Sequence, residues 1–129
     1  MIFGIGTDIC DIRRVERIHT KFGARFVSKI LSEREEKHMP ATGRAAWLAK
    51  RFAAKEAFAK ALGIGFSEGL VFRDFAVLNN TKGAPEAVLS DNARAKLPEE
   101  ARVHVSLSDE KGYAMAFIVI EQDFNNQQE

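Results

Sequence analysis

The chain has 129 residues, 46% hydrophobic and 29% charged, a balance that fits one globular domain and excludes a disordered segment or a fibrous repeat. Its single cysteine, Cys10, excludes a disulfide scaffold and a cysteine-rich zinc site. No run approaches the roughly 18 apolar residues of a membrane span, and the start, MIFGIGTDI, lacks a basic leader, so a soluble cytoplasmic protein with no membrane partner is expected. The net charge of +1 hides an asymmetry: residues 1–62 carry 13 Lys and Arg against 7 Asp and Glu, and residues 63–129 carry 6 against 11. A basic N-terminal half points to an anionic partner.

In chain order, residues 2–9 are β-branched and glycine-bearing and predict a first strand. Alternation then puts Phe3, Ile5, Thr7 and Ile9 on one face and Ile2, Gly4, Gly6 and Asp8 on the other. Glycines inside a strand mark the close approach of a ligand or of another backbone, so the face beside Asp8 reads as cleared. From Asp11 to about Lys21, Ile12, Val15, Ile18 and Phe22 recur at helical spacing, with Arg13, Arg14, Arg17 and Lys21 forming a basic flank. A second helical segment follows around Arg25–Leu31. A third opens at Ser32 with Glu35 three residues on, the spacing of a capping box, and ends before Pro40.

Residues Thr42 to Leu62 predict the longest helix, free of proline and rich in alanine, with Leu48, Phe52 and Ala59 on an apolar side and Gly63 as its stop. Beyond Gly63 the pattern changes to strands. Phe72–Leu78 and Glu86–Leu89 flank a turn-rich connection of hairpin composition, and Asp91–Leu97 predicts a short helix before Pro98. Val103–Leu107 alternates with His104, Ser106 and Ser108 outward, whereas Tyr113–Ile120 is apolar on both faces and reads as a central strand. The polar tail Asp123–Glu129 is expected to fray. With no internal repeat or linker, residues 1–129 are read as a single α+β domain.

Chemistry concentrates in the long helix. Glu56 and Lys60 are four apart and share a face, with Ala53 and Ala57 leaving room around them. Asp8 offers a second carboxylate on the glycine-cleared strand. Two carboxylates with a few waters suit Mg²⁺, which takes hard oxygen ligands and completes its octahedron with substrate phosphates, and a lysine beside them neutralises phosphate charge. Asp8, Glu56 and Lys60 form such a set if folding brings the strand against the helix.

GIGTDI at 4–9, RFAAKEAFAKALG at 51–63, KGAP at 82–85 and HVSLSDE at 104–110 occur in this order across nearly the whole chain. Together they resemble the holo-(acyl-carrier-protein) synthases, the small class of the phosphopantetheinyl transferase superfamily. The resemblance implies that family's fold, a small antiparallel sheet against a long helix and shorter N-terminal helices. It also implies transfer of 4′-phosphopantetheine from coenzyme A to a serine of apo-acyl carrier protein in fatty acid biosynthesis, releasing adenosine 3′,5′-bisphosphate. On that basis Asp8 and Glu56 are Mg²⁺ ligands and Lys60 contacts the coenzyme phosphates, the three together being catalytic. The base that takes the serine proton is either a metal-bound water or Glu56.

Arg51, Gly83, Pro85 and His104 are implied in the same way as further coenzyme contacts. The acidic carrier would dock on the basic first helix through Arg13, Arg14, Arg17, Lys21 and Arg25, with Phe22 and Phe26 as apolar anchors or core residues. Larger members of the superfamily look like two fused copies, so a chain of this length is expected to form a homotrimer with sites between subunits. Their acid two residues after the first Asp is Cys10 here, which agrees with the small class. A nucleic-acid partner is not expected: the acidic second half offsets the basic first, and no nucleic-acid-binding signature is present.

Overall fold

In the computed structural model, which describes residues 1–123, the elements run β1 (Ile2–Asp11), α1 (Ile12–Phe22), α2 (Ala24–Ile30), α3 (Glu33–Glu36), α4 (Arg44–Leu62), a 3-10 turn (Phe72–Asp74), β2 (Phe75–Asn79), β3 (Pro85–Leu89), α5 (Asp91–Ala95), β4 (Ala101–Glu110) and β5 (Tyr113–Gln122). The expected tail falls almost wholly outside the described residues. Strands β1, β5 and β4 form one antiparallel sheet with β5 in the middle, as its apolar faces predict, and β2 and β3 form a separate hairpin. Asp8 lies opposite Ala116, and Ala116 opposite Leu107 on the far strand.

Local chemistry sets most boundaries. The Asp11 side chain accepts the Arg13 N–H at 2.9 Å and caps α1, and Gly23, at φ +55°, closes it. Ser32 and Glu35 make the predicted capping box, Ser32 Oγ accepting the Glu35 N–H at 3.2 Å and Glu35 Oε1 the Ser32 N–H at 2.9 Å. Gly63, at φ +79°, ends α4. One expected strand starts late. Residues Phe72–Asp74 turn instead, because the Asp74 carboxylate reaches back to the Val71 N–H at 2.9 Å and also takes Ser90 Oγ at 2.7 Å and Asn92 Nδ2 at 2.9 Å.

Helix α4 lies across the sheet. Its Ala53, Ala57 and Phe58 have no exposed surface and meet a layer of Ala114, Ala116, Ile118 and Ile120 from β5. The Phe58 ring stacks on Phe75 at a centroid distance of 4.4 Å, and burying such a side chain stabilises the fold by about 2–3 kcal/mol. The alanines therefore serve a different purpose from the one expected. Ala53 and Ala57 do not clear space around Glu56 and Lys60; they let the helix settle onto the strands. The glycines of β1 do the same from the other side. A Cβ on Gly4 would lie 2.0 Å from the Ala61 carbonyl oxygen, so the cleared strand face is filled by the α4 backbone.

Among the described residues nothing covers the opposite face of the sheet. Phe3, Ile5 and Ile9 of β1 and Tyr113, Met115 and Phe117 of β5 are each more than 40% exposed. Among the described residues no helix is long and apolar enough to cross a membrane.

Candidate active site

Close packing of β1 on α4 brings together residues 52 positions apart. Lys60 Nζ donates to Asp8 Oδ1 and to the Thr7 carbonyl, both at 3.0 Å. The lysine side chain is 57% exposed and the aspartate 19%, so the ion pair itself contributes at most about 1 kcal/mol to stability. Glu56 sits one turn before Lys60 and is half-buried. Burial, and then the charge of Asp8, push its carboxyl above the ordinary glutamate range, while Lys60 and Arg14 pull it back. A half-buried carboxyl whose charge is disfavoured by burial and by a second carboxylate nearby is a donor that a divalent cation would relieve.

Among the described residues no three His, Cys, Asp or Glu side chains gather as a metal site. Asp8 and Glu56 could offer two oxygen-donor groups, a sparse set that would suit Mg²⁺ with its reluctance to dehydrate. Asp8, Glu56 and Lys60 do come together as the sequence predicts. The Lys60 ammonium, expected on a phosphate, is held here by Asp8 and Thr7.

A second cluster lies nearer the start of α4. Arg51 is 3% exposed, with its guanidinium over the Trp47 ring at 4.1 Å and Nη2 donating to Asn79 Oδ1 at 2.9 Å. Its Nε is buried without a hydrogen-bond partner among the described residues, and burial lowers the stability of its charged form. Arg51, Trp47, Lys50 and Asn79 line a cleft of about 260 Å³ with Gly83 and Pro85 of the hairpin turn. Gly83 is at φ +86°, and Asn80 Oδ1 holds that turn by accepting the Lys82 and Ala84 N–H groups at 2.9 and 3.0 Å. Three expected coenzyme residues thus share one cleft. Trp47 and Lys50 were missed, although Trp47 precedes Arg51 by one helical turn, and Asn79 lies beside the turn itself.

His104 stands apart. Leu107 packs inward opposite Ala116, so His104 points to the bare face of the sheet, away from Asp8, and bonds Glu121 Oε1 through Nε2 at 2.9 Å. It lines a groove of about 460 Å³ between β3 and β4 that shares Pro85 with the Arg51 cleft.

The basic flank borders a third hollow, of about 390 Å³. Ile18, Phe22, Phe26, Phe52 and Phe72 give it an apolar floor, and Arg14, Arg25 and Lys29 a cationic rim. Phe22 is 44% exposed and Phe26 packs partly into the core, which separates the two roles considered for them. Arg17 and Lys21 are exposed beside the rim, whereas Arg13 is drawn aside by Asp11 at 3.3 Å. Phe52 and Phe72 were missed, since the wall they form joins residues far apart in the chain. Arg14 lies on this rim and also acts on the Glu56 charge, so hollow and carboxylates adjoin.

The family model described as the 4′-phosphopantetheinyl transferase superfamily matches residues 4–118. The chain belongs to this superfamily. A holo-(acyl-carrier-protein) synthase of Wolbachia pipientis is 44% identical over 124 residues, covering 93% of this chain and 98% of that one. The crystal structure of the Neisseria meningitidis holo-(acyl-carrier-protein) synthase superposes with a TM-score of 0.86 at 42% identity, over 95% of this chain and 100% of that one. A Bacillus anthracis holo-(acyl-carrier-protein) synthase solved in complex with CoA (3′,5′-ADP) gives 0.79 at 36% identity, over 95% and 99%. The matched span contains Asp8, Glu56 and Lys60 and the residues that line the three hollows.

Proposed function

We propose that the protein is a Mg²⁺-dependent holo-(acyl-carrier-protein) synthase, one transferase domain over residues 1–129, working in the cytoplasm in fatty acid biosynthesis. It would move 4′-phosphopantetheine from coenzyme A to the serine hydroxyl of apo-acyl carrier protein and release adenosine 3′,5′-bisphosphate. The observation that carries this reading is the meeting of Asp8, Glu56 and Lys60 beside an apolar hollow with a cationic rim.

Asp8 and Glu56 would hold the Mg²⁺. Bound there, the ion supplies Lewis-acid stabilisation of charge developing on the diphosphate. Lys60, with its side chain largely in solvent, can turn its ammonium from Asp8 to a phosphate oxygen. Either Glu56 or a water beside it would take the proton of the attacking serine. At the nucleotide end, an anion in the Arg51 cleft would satisfy the orphaned Nε, and the Gly83–Pro85 turn offers backbone groups to the base.

Arg14 and Arg25 on the rim, with Arg17 and Lys21 beside it, would pair with acidic side chains of the carrier, speeding encounter, with the apolar floor below as anchor. Assembly as a homotrimer accounts for two further features. The bare face built from Phe3, Ile5, Ile9, Met115 and Phe117 needs a cover, and His104 opens on that side, where it can reach a neighbouring copy's carboxylates. The deciding experiment incubates the protein with coenzyme A, Mg²⁺ and an apo-acyl carrier protein and weighs the carrier. A phosphopantetheine-sized gain that chelator abolishes is expected; an unchanged carrier mass would overturn the assignment.

A further inference from the structure

Lys55 precedes the candidate ligand Glu56 by one residue, and one step of about 100° around α4 turns it away from the carboxylates into the interior. There it meets Glu35, and neither side chain has any exposed surface. Lys55 Nζ donates to Glu35 Oε1 at 2.8 Å, to the Phe72 carbonyl at 3.1 Å and to the Phe75 carbonyl. Glu35 Oε1 also accepts the Ser32 N–H, and Oε2 accepts the Val77 N–H at 2.8 Å. All three ammonium protons and both carboxylate oxygens are engaged. Removing two charges from water offsets much of their attraction, and apolar residues of similar volume stabilise a core at least as well, so stability alone gives no reason for the pair.

What the pair does fix is position. It grips the Phe72 and Phe75 carbonyls and the Val77 N–H, three points on the segment that enters β2. The Phe72 ring, 5.6 Å from Phe52 and 4.1 Å from Phe66 between centroids, forms the inner wall of the apolar hollow below Arg14 and Arg25. We propose that Lys55 and Glu35 are positioning residues for carrier recognition: by holding the Phe72 carbonyl they set that wall against the Phe52 turn of α4, and so seat the carrier at the distance its serine needs from Glu56. This rests on the transferase reading and adds to it a buried device selective for one of the two substrates.

The test compares wild type, the charge-free pair Lys55→Met/Glu35→Gln, Phe72→Ala, and the three changes combined, with coenzyme A and carrier varied separately. A purely structural role would lower the folded fraction and leave both KM values in place. The positioning role predicts a carrier KM at least tenfold higher in the charge-free pair, with the coenzyme A KM within twofold of wild type. Phe72→Ala should do the same, and the combination should add less than a further twofold, because both act through one ring. A folded charge-free pair with normal carrier KM, multiplicative effects, or an equal rise in the coenzyme A KM would overturn the proposal. Should the charge-free pair fail to fold, an unchanged carrier KM in Phe72→Ala overturns it alone, and a tenfold rise there supports it. A wild type that adds no mass to the carrier would instead sink the transferase reading, a result distinct from normal transfer with unaltered carrier KM.

Discussion

The α-carbon of Gly6 lies so near the Ala57 carbonyl that a Cβ added to it would sit 1.9 Å from that oxygen and 2.8 Å from the Ala61 nitrogen. Both neighbours are helix backbone and cannot swing aside as a flexible side chain would. This contact sets the spacing of β1 and α4, and hence the reach of Lys60 to Asp8. Gly6→Ala should therefore destabilise the protein by about 3 kcal/mol or more, measured as a lower urea midpoint. Whatever folds should also transfer poorly, since Asp8 would be pushed from Glu56.

The carboxylates behave differently. Asp8→Asn gives up an ion pair whose lysine is mostly solvated, and Glu56→Gln removes a carboxylate whose charge is disfavoured by burial and by Asp8. Either change should alter unfolding free energy by no more than about 1 kcal/mol and cut transfer about 100-fold or more. Binding of Mn²⁺, followed by its electron paramagnetic resonance, should weaken in both. Full activity in either variant would remove that residue from the ligand set.

Why so much of this was legible, and some not, follows from the range of the interactions. Asp11, Ser32 with Glu35, and Gly63 act within one turn of their own helices, so their roles can be read from spacing. The apolar run of β5 announces a central strand for the same reason. Asp74 shows the limit: its partners Ser90 and Asn92 lie 16 and 18 residues on, and they convert an apparent strand start into a turn. Glu35 was visible only as a capping acid, because its burial depends on Lys55 and Val77 from other elements. Gly4 and Gly6 declared a close approach without naming what approached. Of the candidate site, Asp8, Glu56 and Lys60 were found by residue type and motif, whereas the Arg51 cleft needed the hairpin to fold over α4.

The rim of the hollow separates two arginines that adjoin in sequence. Arg14 faces the apolar floor and adds its charge to the Glu56 environment, while Arg13 is tied to its own helix cap at Asp11. Arg14→Glu should raise the carrier KM roughly tenfold and flatten its dependence on salt, whereas Arg13→Ala should change it by less than about threefold. Steady-state kinetics from 50 to 300 mM NaCl would check both; equal effects at the two positions would mean the carrier does not seat in this hollow.

The bare sheet face offers a test of assembly. Met115 and Phe117 on β5 are each 43% exposed and lie between Ile5, Thr7 and Ile9 on one side and Ser106 and Ser108 on the other. A lysine at Phe117 would keep its charge in water on a monomer but be buried between copies. With the proposed homotrimer closing over this face, Phe117→Lys should leave the circular dichroism spectrum intact, reduce the native mass from three chains to one, and lower transfer with it. A variant still sedimenting as three chains would place the interface elsewhere.

Acid sensitivity should trace in part to Asp74. Burial alone would push its carboxyl up, but hydrogen bonds from the Val71 N–H, Ser90 and Asn92, with the charge of Lys96, outweigh that and hold it below its ordinary 3.8. A carboxyl depressed in the folded state contributes its full stabilisation above the unfolded value, where both states are ionised. The contribution fades as pH falls through the folded value, because the unfolded chain takes up the proton first. Asp74→Asn should therefore cost about 1–3 kcal/mol at pH 7, with the 3-10 turn and the α5 cap loosening together. Urea unfolding of both proteins at intervals from pH 7 to pH 2 should show the gap constant down to about pH 5 and closing below it. A gap that widened in acid would mean the carboxylate is not held by these donors.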